Sequence, residues 1–112
     1  MKDAAVYLKH IRDAIQKIEK YTSKGKASFF KDSKTQDAVV RNLGIIGEAI
    51  RNFPPGFVKA HPEVPWKNIV AMRNIIIHEY FGVEMTIVWD VVRKSLPKLK
   101  KQIMALLEDF NE

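Results

Sequence analysis

The chain has 112 residues, of which 46% are hydrophobic, so it can bury one core and is expected to form a single domain over residues 1–112. It contains no cysteine, which excludes disulfides and thiolate metal sites, and it shows neither a signal peptide nor an apolar run long enough for a membrane span. We therefore expect a cytoplasmic protein with no membrane contact. A formal charge of +6 favours a polyanionic partner such as RNA, although a well-solvated basic surface would give the same charge.

Two amphipathic helices are predicted in the first half of the chain. Apolar residues recur there at steps of four and three, the spacing that lines one face of a helix, first at Ala4, Leu8, Ile11, Ile15 and Ile18. Asp32 or Ser33 can cap the second helix, whose apolar face is Val39, Leu43, Ile46, Ile50 and Phe53. Pro54-Pro55-Gly56 ends that helix, and an irregular loop is expected to follow. Gly44 and Gly47 lie inside the second helix, where we expect them to let another backbone come close.

The second half predicts further helices. The third runs from about Trp66 to His78, with core candidates Trp66, Ile69, Val70, Met72, Ile76 and Ile77. A fourth stretch runs from Glu84 to Ser95, with Ile87, Val88, Val91 and Val92 as its apolar residues. Helical spacing then continues past Pro97, where a short break is expected, through Leu96, Leu99, Ile103, Leu106 and Phe110. Period-two alternation and hairpin turns are missing, so the predicted fold is all-α, an antiparallel bundle of four to five helices.

The candidate chemistry lies in the third predicted helix, where polar residues interrupt a run of Ile, Val and Met. Asn74 and His78 are four residues apart, which leaves them about 40° apart on one helical face. Arg73 is displaced from His78 by about 140°, so one rigid helix does not aim both at one point. A symmetric partner helix would solve this problem by lending its own residues.

These residue types suit RNA cleavage without a metal ion. An imidazole can exchange a proton with a ribose 2′-hydroxyl or a leaving oxygen near neutral pH. A guanidinium can bind a phosphate at two points and stabilise the extra charge on a pentacovalent phosphorus. The structural alternative stays open, because a helix C-terminus favours a histidine and an arginine stem often covers core residues. Lys94, Lys98 and Lys101 form a stripe that could contact RNA, but a solvated face is the favoured explanation.

Several landmarks together resemble the HepT family of the HEPN superfamily. Arg73, His78 and Tyr80 match that family's Arg-x4-His-x-Tyr pattern. The flanking segments agree in order and spacing; they are Leu43-Gly44-Ile45-Ile46-Gly47-Glu48-Ala49, Val64-Pro65-Trp66, Phe81-Gly82 and Leu96-Pro97-Lys98-Leu99. The similarity covers nearly the whole chain.

The resemblance implies a HEPN-like helical bundle that pairs as a homodimer, with two motifs meeting at a composite site. It implies a metal-independent endoribonuclease toxin without a cofactor, whose catalytic pair is Arg73 and His78, supported by Asn74 and by Glu48 from the second helix. It also implies a partner, an antitoxin of the minimal nucleotidyltransferase (MntA) type, that transfers AMP to Tyr80.

Two other functions remain compatible with the same residues, because a fold alone does not fix a function. The composite site could hold a nucleotide or RNA without cutting it. The chain would then be a non-catalytic dimer that acts as partner of a nucleotidyltransferase. Alternatively, the chain could be a purely structural dimer that only receives the modification.

Overall fold

The computed structural model describes residues 2–78 and 85–110, apart from the side chains at positions 2, 3, 73 and 75–78. Its elements in chain order are α1 (Lys2–Tyr21), α2 (Lys26–Lys31), α3 (Ser33–Arg51), α4 (Pro55–Ala60), α5 (Trp66–His78), α6 (Met85–Asp90), a π-helical turn (Val91–Ser95) and α7 (Leu96–Phe110). Within these ranges there is no β-strand. The predicted all-α class is confirmed.

The long helices form a bundle around one apolar core. Helix α1 packs against α3 and α7, and α3 packs in turn against α5. The predicted stripe of α1 is confirmed, since each of its five residues is at most 1% exposed. The predicted stripe of α3 is also buried. Amphipathic periodicity therefore located the core of both helices.

Two short helices lie outside the helices that the sequence analysis predicted. Helix α2 follows Gly25, whose φ of 94° lies in the region that favours glycine. Helix α4 begins with Pro55, because the fixed φ of proline suits the first turn of a helix, and it buries Phe57 against Phe53 and Trp66. The loop prediction for Pro54 to Val64 was thus wrong over Pro55–Ala60.

The cap of α3 is Asp32, one of the two predicted candidates. Its carboxylate accepts hydrogen bonds from the backbone N–H of Lys34 at 3.0 Å and of Thr35 at 3.4 Å, and from the Thr35 hydroxyl at 2.9 Å. These bonds, that of the Thr35 hydroxyl foremost, lower the pKa of Asp32 below its ordinary value.

Other details differ from the sequence expectations. A Cβ added at Gly44 would have no neighbour within 4 Å, so the predicted close backbone approach is wrong there, whereas Gly47 is buried. The predicted core residues Ile87 and Phe110 are exposed, because they end up on the outward sides of α6 and α7. Trp89 of α6 is buried instead, against Phe29.

The chain stays helical near Pro97 and forms no open break. The widened turn Val91–Ser95 joins α6 to α7, and the Leu96 N–H donates to the Val91 carbonyl five residues earlier. Proline cannot donate the helical hydrogen bond and its ring crowds the preceding turn, so a π-helical turn just before Pro97 accommodates it.

Candidate functional site

Helix α5, which includes Arg73 and His78, is held in place at its first residue. Trp66 is 4% exposed, and its indole N–H donates to the His61 carbonyl at 2.8 Å. Its ring packs edge-on against Phe53, with centroids 5.3 Å apart, and tilted against Phe57 at 6.2 Å. The aromatic cluster thereby ties the start of α5 to α4 and to the end of α3.

The helix continues unbroken from Trp66 to His78, so the spacings used in the sequence analysis apply. Position 78 lies one turn beyond Asn74 on nearly the same face of α5. Position 73 lies about 140° from position 78 around the helix, one turn beyond buried Ile69. Tyr80 lies outside the described residues, as do the side chains of Arg73 and His78. Asn74 is half-buried.

Asn74 lines a shallow depression of about 340 Å³ between the end of α3, α4 and α5. The exposed cations Arg51 and Lys67 line it too, and its apolar floor includes Val58 and Val70. Glu48 is exposed on α3, the helix that packs against α5, and the structure does not bring it into this lining. Of the sequence-predicted supporting residues, only Asn74 therefore lies in the depression.

A second depression of about 330 Å³ continues the first. Both are lined by Val58, Trp66 and Lys67, and the second adds the exposed cation Lys59. Sequence reasoning missed Arg51, Lys59 and Lys67 as site candidates. For Lys67 a signal existed, because it precedes Asn74 by seven residues and so shares its helical face. No sequence signal identified Arg51 and Lys59, because they approach Lys67 only through tertiary packing.

A larger groove of about 460 Å³ lies on the opposite side of α5, between that helix and α7. Its lining includes Ile69, Met72 and Leu99, with Lys94 and Lys98 among its polar residues. Glu63 lines it as well. Two lysines of the predicted stripe thus border a groove, whereas Lys101 is exposed outside that lining.

The described part of the chain has neither a metal-ligand cluster nor a membrane-spanning helix. No three His, Asp or Glu side chains there are grouped as they would be around a metal ion. None of the helices there has the length and apolar character needed to cross a membrane.

Comparisons with known proteins give one consistent relationship. The family profile described as "Ribonuclease HepT-like" matches residues 11–106. A Thermococcus cleftensis protein named "Probable ribonuclease HepT" is 45% identical over 95 residues, which are 84% of this chain and 86% of that protein. A Caldanaerobacter subterraneus protein named as a putative RNase is 42% identical over 109 residues, covering 96% of this chain and 97% of the relative.

Another relative is longer than this chain. A Methanocaldococcus jannaschii protein, named as a gamma-glutamylcyclotransferase and putative RNase, is 44% identical over 112 residues. The match covers 99% of this chain but only 50% of that protein. No solved structure matches significantly.

Proposed function

Because the chain belongs to the HepT-like ribonuclease family, we propose that it is a metal-independent endoribonuclease that acts as the toxin of a toxin–antitoxin pair. The observation that carries the proposal is the family match over residues 11–106. That range includes Arg73, His78 and Tyr80, the residues that resemble the Arg-x4-His-x-Tyr pattern. The continuous helix from Trp66 to His78 supports it, since it preserves the one-turn relation between Asn74 and His78.

The proposed chemistry is transesterification at an RNA phosphate. The ribose 2′-oxygen attacks the phosphorus and the bond to the 5′-oxygen breaks, which leaves a 2′,3′-cyclic phosphate and a free 5′-hydroxyl. The imidazole of His78 acts in this step either as the base that takes the 2′-hydroxyl proton or as the acid that protonates the leaving 5′-oxygen. The guanidinium of Arg73 binds the phosphate at two points and stabilises the added negative charge of the transition state. Asn74 orients the imidazole or the phosphate, and Glu48 supports the site from α3.

The active form is proposed to be a homodimer. Positions 73 and 78 are about 140° apart around α5, so residues of two chains complete one site more readily than one chain does. Sedimentation velocity at micromolar concentration should give a species of twice 12.9 kDa. A 12.9 kDa species that still cleaves RNA would contradict the composite site.

The direct test is cleavage of a labelled single-stranded RNA by the purified protein in excess chelator. We expect cleavage by the parent protein and loss of at least a hundredfold in rate for His78→Ala, the size of effect typical of a general acid–base residue. An exposed histidine on α1, His10, provides the matched control, because His10→Ala removes an imidazole far along the chain from the motif. Equal cleavage by both variants would point to a contaminating nuclease and would refute the assignment.

The partner is proposed to be a minimal nucleotidyltransferase that neutralises the toxin by transferring AMP to Tyr80. An added phosphate near Arg73 would block RNA by bulk and by charge repulsion. Incubation with ATP and a cognate nucleotidyltransferase, followed by intact-mass analysis, should show AMP addition to the parent chain. A Tyr80→Phe variant that gains the same mass would remove Tyr80 from this mechanism, and Tyr7→Phe is the control for loss of a tyrosine elsewhere.

A further inference from the structure

Three exposed cations from three helices line the two adjoining depressions, the first of which also contains Asn74. Arg51 lies in the last turn of α3, Lys59 in the last turn of α4 and Lys67 in the first turn of α5. They line two adjoining depressions that share Val58, Trp66 and Lys67. We call these three side chains and the depressions between them the Arg51–Lys59–Lys67 surface.

No acidic residue lines this surface, and Glu48, which is exposed one turn before Arg51 on α3, lies outside both depressions. Within the part of the chain that the structure describes, none of its three cations forms an ion pair, in contrast to Lys100, whose Nζ lies 3.0 Å from Oε1 of Glu19. The surface is therefore electrostatically complementary to a polyanion.

Favourable interaction with a helix dipole explains the positions of only two of the three cations. Arg51 and Lys59 stand in last turns, where a cation interacts favourably with the helix dipole. Lys67 stands in a first turn, where the dipole disfavours a cation, and that turn contains no acidic residue. A bound anion would compensate the placement of Lys67.

The surface is continuous with the face of α5 that carries Asn74 and position 78. Lys67, Asn74 and position 78 lie within about 40° of one another around α5, and 67 and 78 are separated by about 16 Å along its axis. A polyanion bound at the three cations would extend along this face towards position 78. The groove of Lys94 and Lys98 lies on the other side of α5 and includes the carboxylate residue Glu63.

We propose that the Arg51–Lys59–Lys67 surface binds phosphates of the substrate strand next to the cleavage position, and so guides single-stranded RNA along α5. The apolar floor at Val58 and Val70 can contact an unstacked base, while the three cations act as point charges for the backbone. That the RNA strand runs from this surface towards position 78 rests on the function proposed above. Binding of RNA to the surface does not itself depend on cleavage.

Binding is measured by fluorescence anisotropy with a labelled single-stranded 2′-O-methyl RNA, which cannot be cleaved through its 2′-oxygen. Affinity is followed as a function of salt, because each phosphate neutralised in a single strand contributes about 0.7 to the slope of log K against log salt. We expect Arg51→Gln, Lys59→Gln and Lys67→Gln each to lower the magnitude of that slope by about 0.7, and the triple variant by about 2. Lys67→Arg should keep the parent slope.

The matched control is Lys17→Gln, which removes an exposed cation of α1 that lines neither depression. A thermal melt of every variant verifies folding. The proposal is overturned if the triple variant keeps the parent slope, or if Lys94→Gln with Lys98→Gln causes the loss instead. It is also overturned if the triple variant changes the sedimentation coefficient and not RNA affinity, because the surface would then be an interface between copies of the chain.

Cleavage kinetics separate this inference from the proposed function. In an active protein, the surface variants should raise KM for a long RNA with little change in kcat, and should leave cleavage of a dinucleotide unaffected, since binding remote from the reacting atoms is removed. If the protein binds RNA through this surface yet cuts nothing, the inference stands and the nuclease function fails. If the protein cuts RNA but none of the three substitutions changes the salt slope, the nuclease function stands and the inference fails.

Discussion

Replacing Trp66 with phenylalanine tests whether its indole hydrogen bond fixes the start of the motif helix. The indole N–H of this residue donates to the His61 carbonyl at 2.8 Å, and the side chain is 4% exposed. Phenylalanine keeps an aromatic ring against Phe53 and Phe57 but loses about 40 Å² of apolar area, worth about 1 kcal/mol. The lost hydrogen bond adds about 1 kcal/mol, at the low end of the range for a buried polar group that loses a partner, because the His61 carbonyl still accepts the Val64 N–H at 3.3 Å.

The expected total for Trp66→Phe is about 2 kcal/mol, or a Tm about 8 °C lower for a chain of this length. The matched control is Trp89→Phe. Trp89 is 6% exposed and packs against Phe29, and in the described part of the chain its indole makes no hydrogen bond. That variant should therefore lose only the area contribution, about 1 kcal/mol. Urea unfolding of both variants, with equal m-values, measures the difference.

The comparison isolates the hydrogen bond because both substitutions remove the same atoms from a buried position. If the two free energies of unfolding agreed within about 0.3 kcal/mol, the bond to His61 would contribute nothing net and packing alone would position α5. If Trp89→Phe cost more than Trp66→Phe, the assumed equality of area loss would be wrong.

Three further predictions concern a glycine pair, a helix cap and the phosphate clamp. Gly44→Ala should raise the free energy of unfolding by about 0.5–1 kcal/mol, because the added Cβ meets nothing within 4 Å in a helix interior. Gly25→Ala should lower the free energy of unfolding by about 1–3 kcal/mol, because a φ of 94° is strained for alanine. The two variants should therefore shift Tm in opposite directions. The lowered pKa of Asp32 means that its charged cap stabilises the fold fully above its ordinary pKa of 3.8 and is lost as the pH falls through the folded value, so Asp32→Asn should flatten the acid side of a Tm–pH profile. Arg73→Lys should reduce RNA cleavage nearly as much as Arg73→Ala, because an ammonium cannot bind phosphate at two points; cleavage near the parent rate would leave only a need for positive charge.

The sequence located the long helices because each has to present one apolar stripe to the core. The series through Leu8 and Ile15, and that through Leu43 and Ile46, repeat at the helical period, and both prove to be buried. The motif is also local, since Asn74 and His78 share a face of any regular helix. Local chemistry likewise narrowed the cap of α3 to Asp32 or Ser33, and the structure has Asp32.

Tertiary packing decided what periodicity leaves open. Ile87 satisfies an apolar pattern and is exposed, while Trp89 is buried, because the orientation of a six-residue helix depends on its neighbours rather than on its own period.

The short helix α4, the π-helical turn before Pro97 and the open space at Gly44 also depend on which elements meet. The convergence of Arg51, Lys59 and Lys67 is the clearest case. The sequence by itself determined an all-α fold and placed Arg73 and His78 on α5. Three helix termini form one basic surface only after the chain folds, because the interaction between charges depends on their distance in space and not on their separation in sequence.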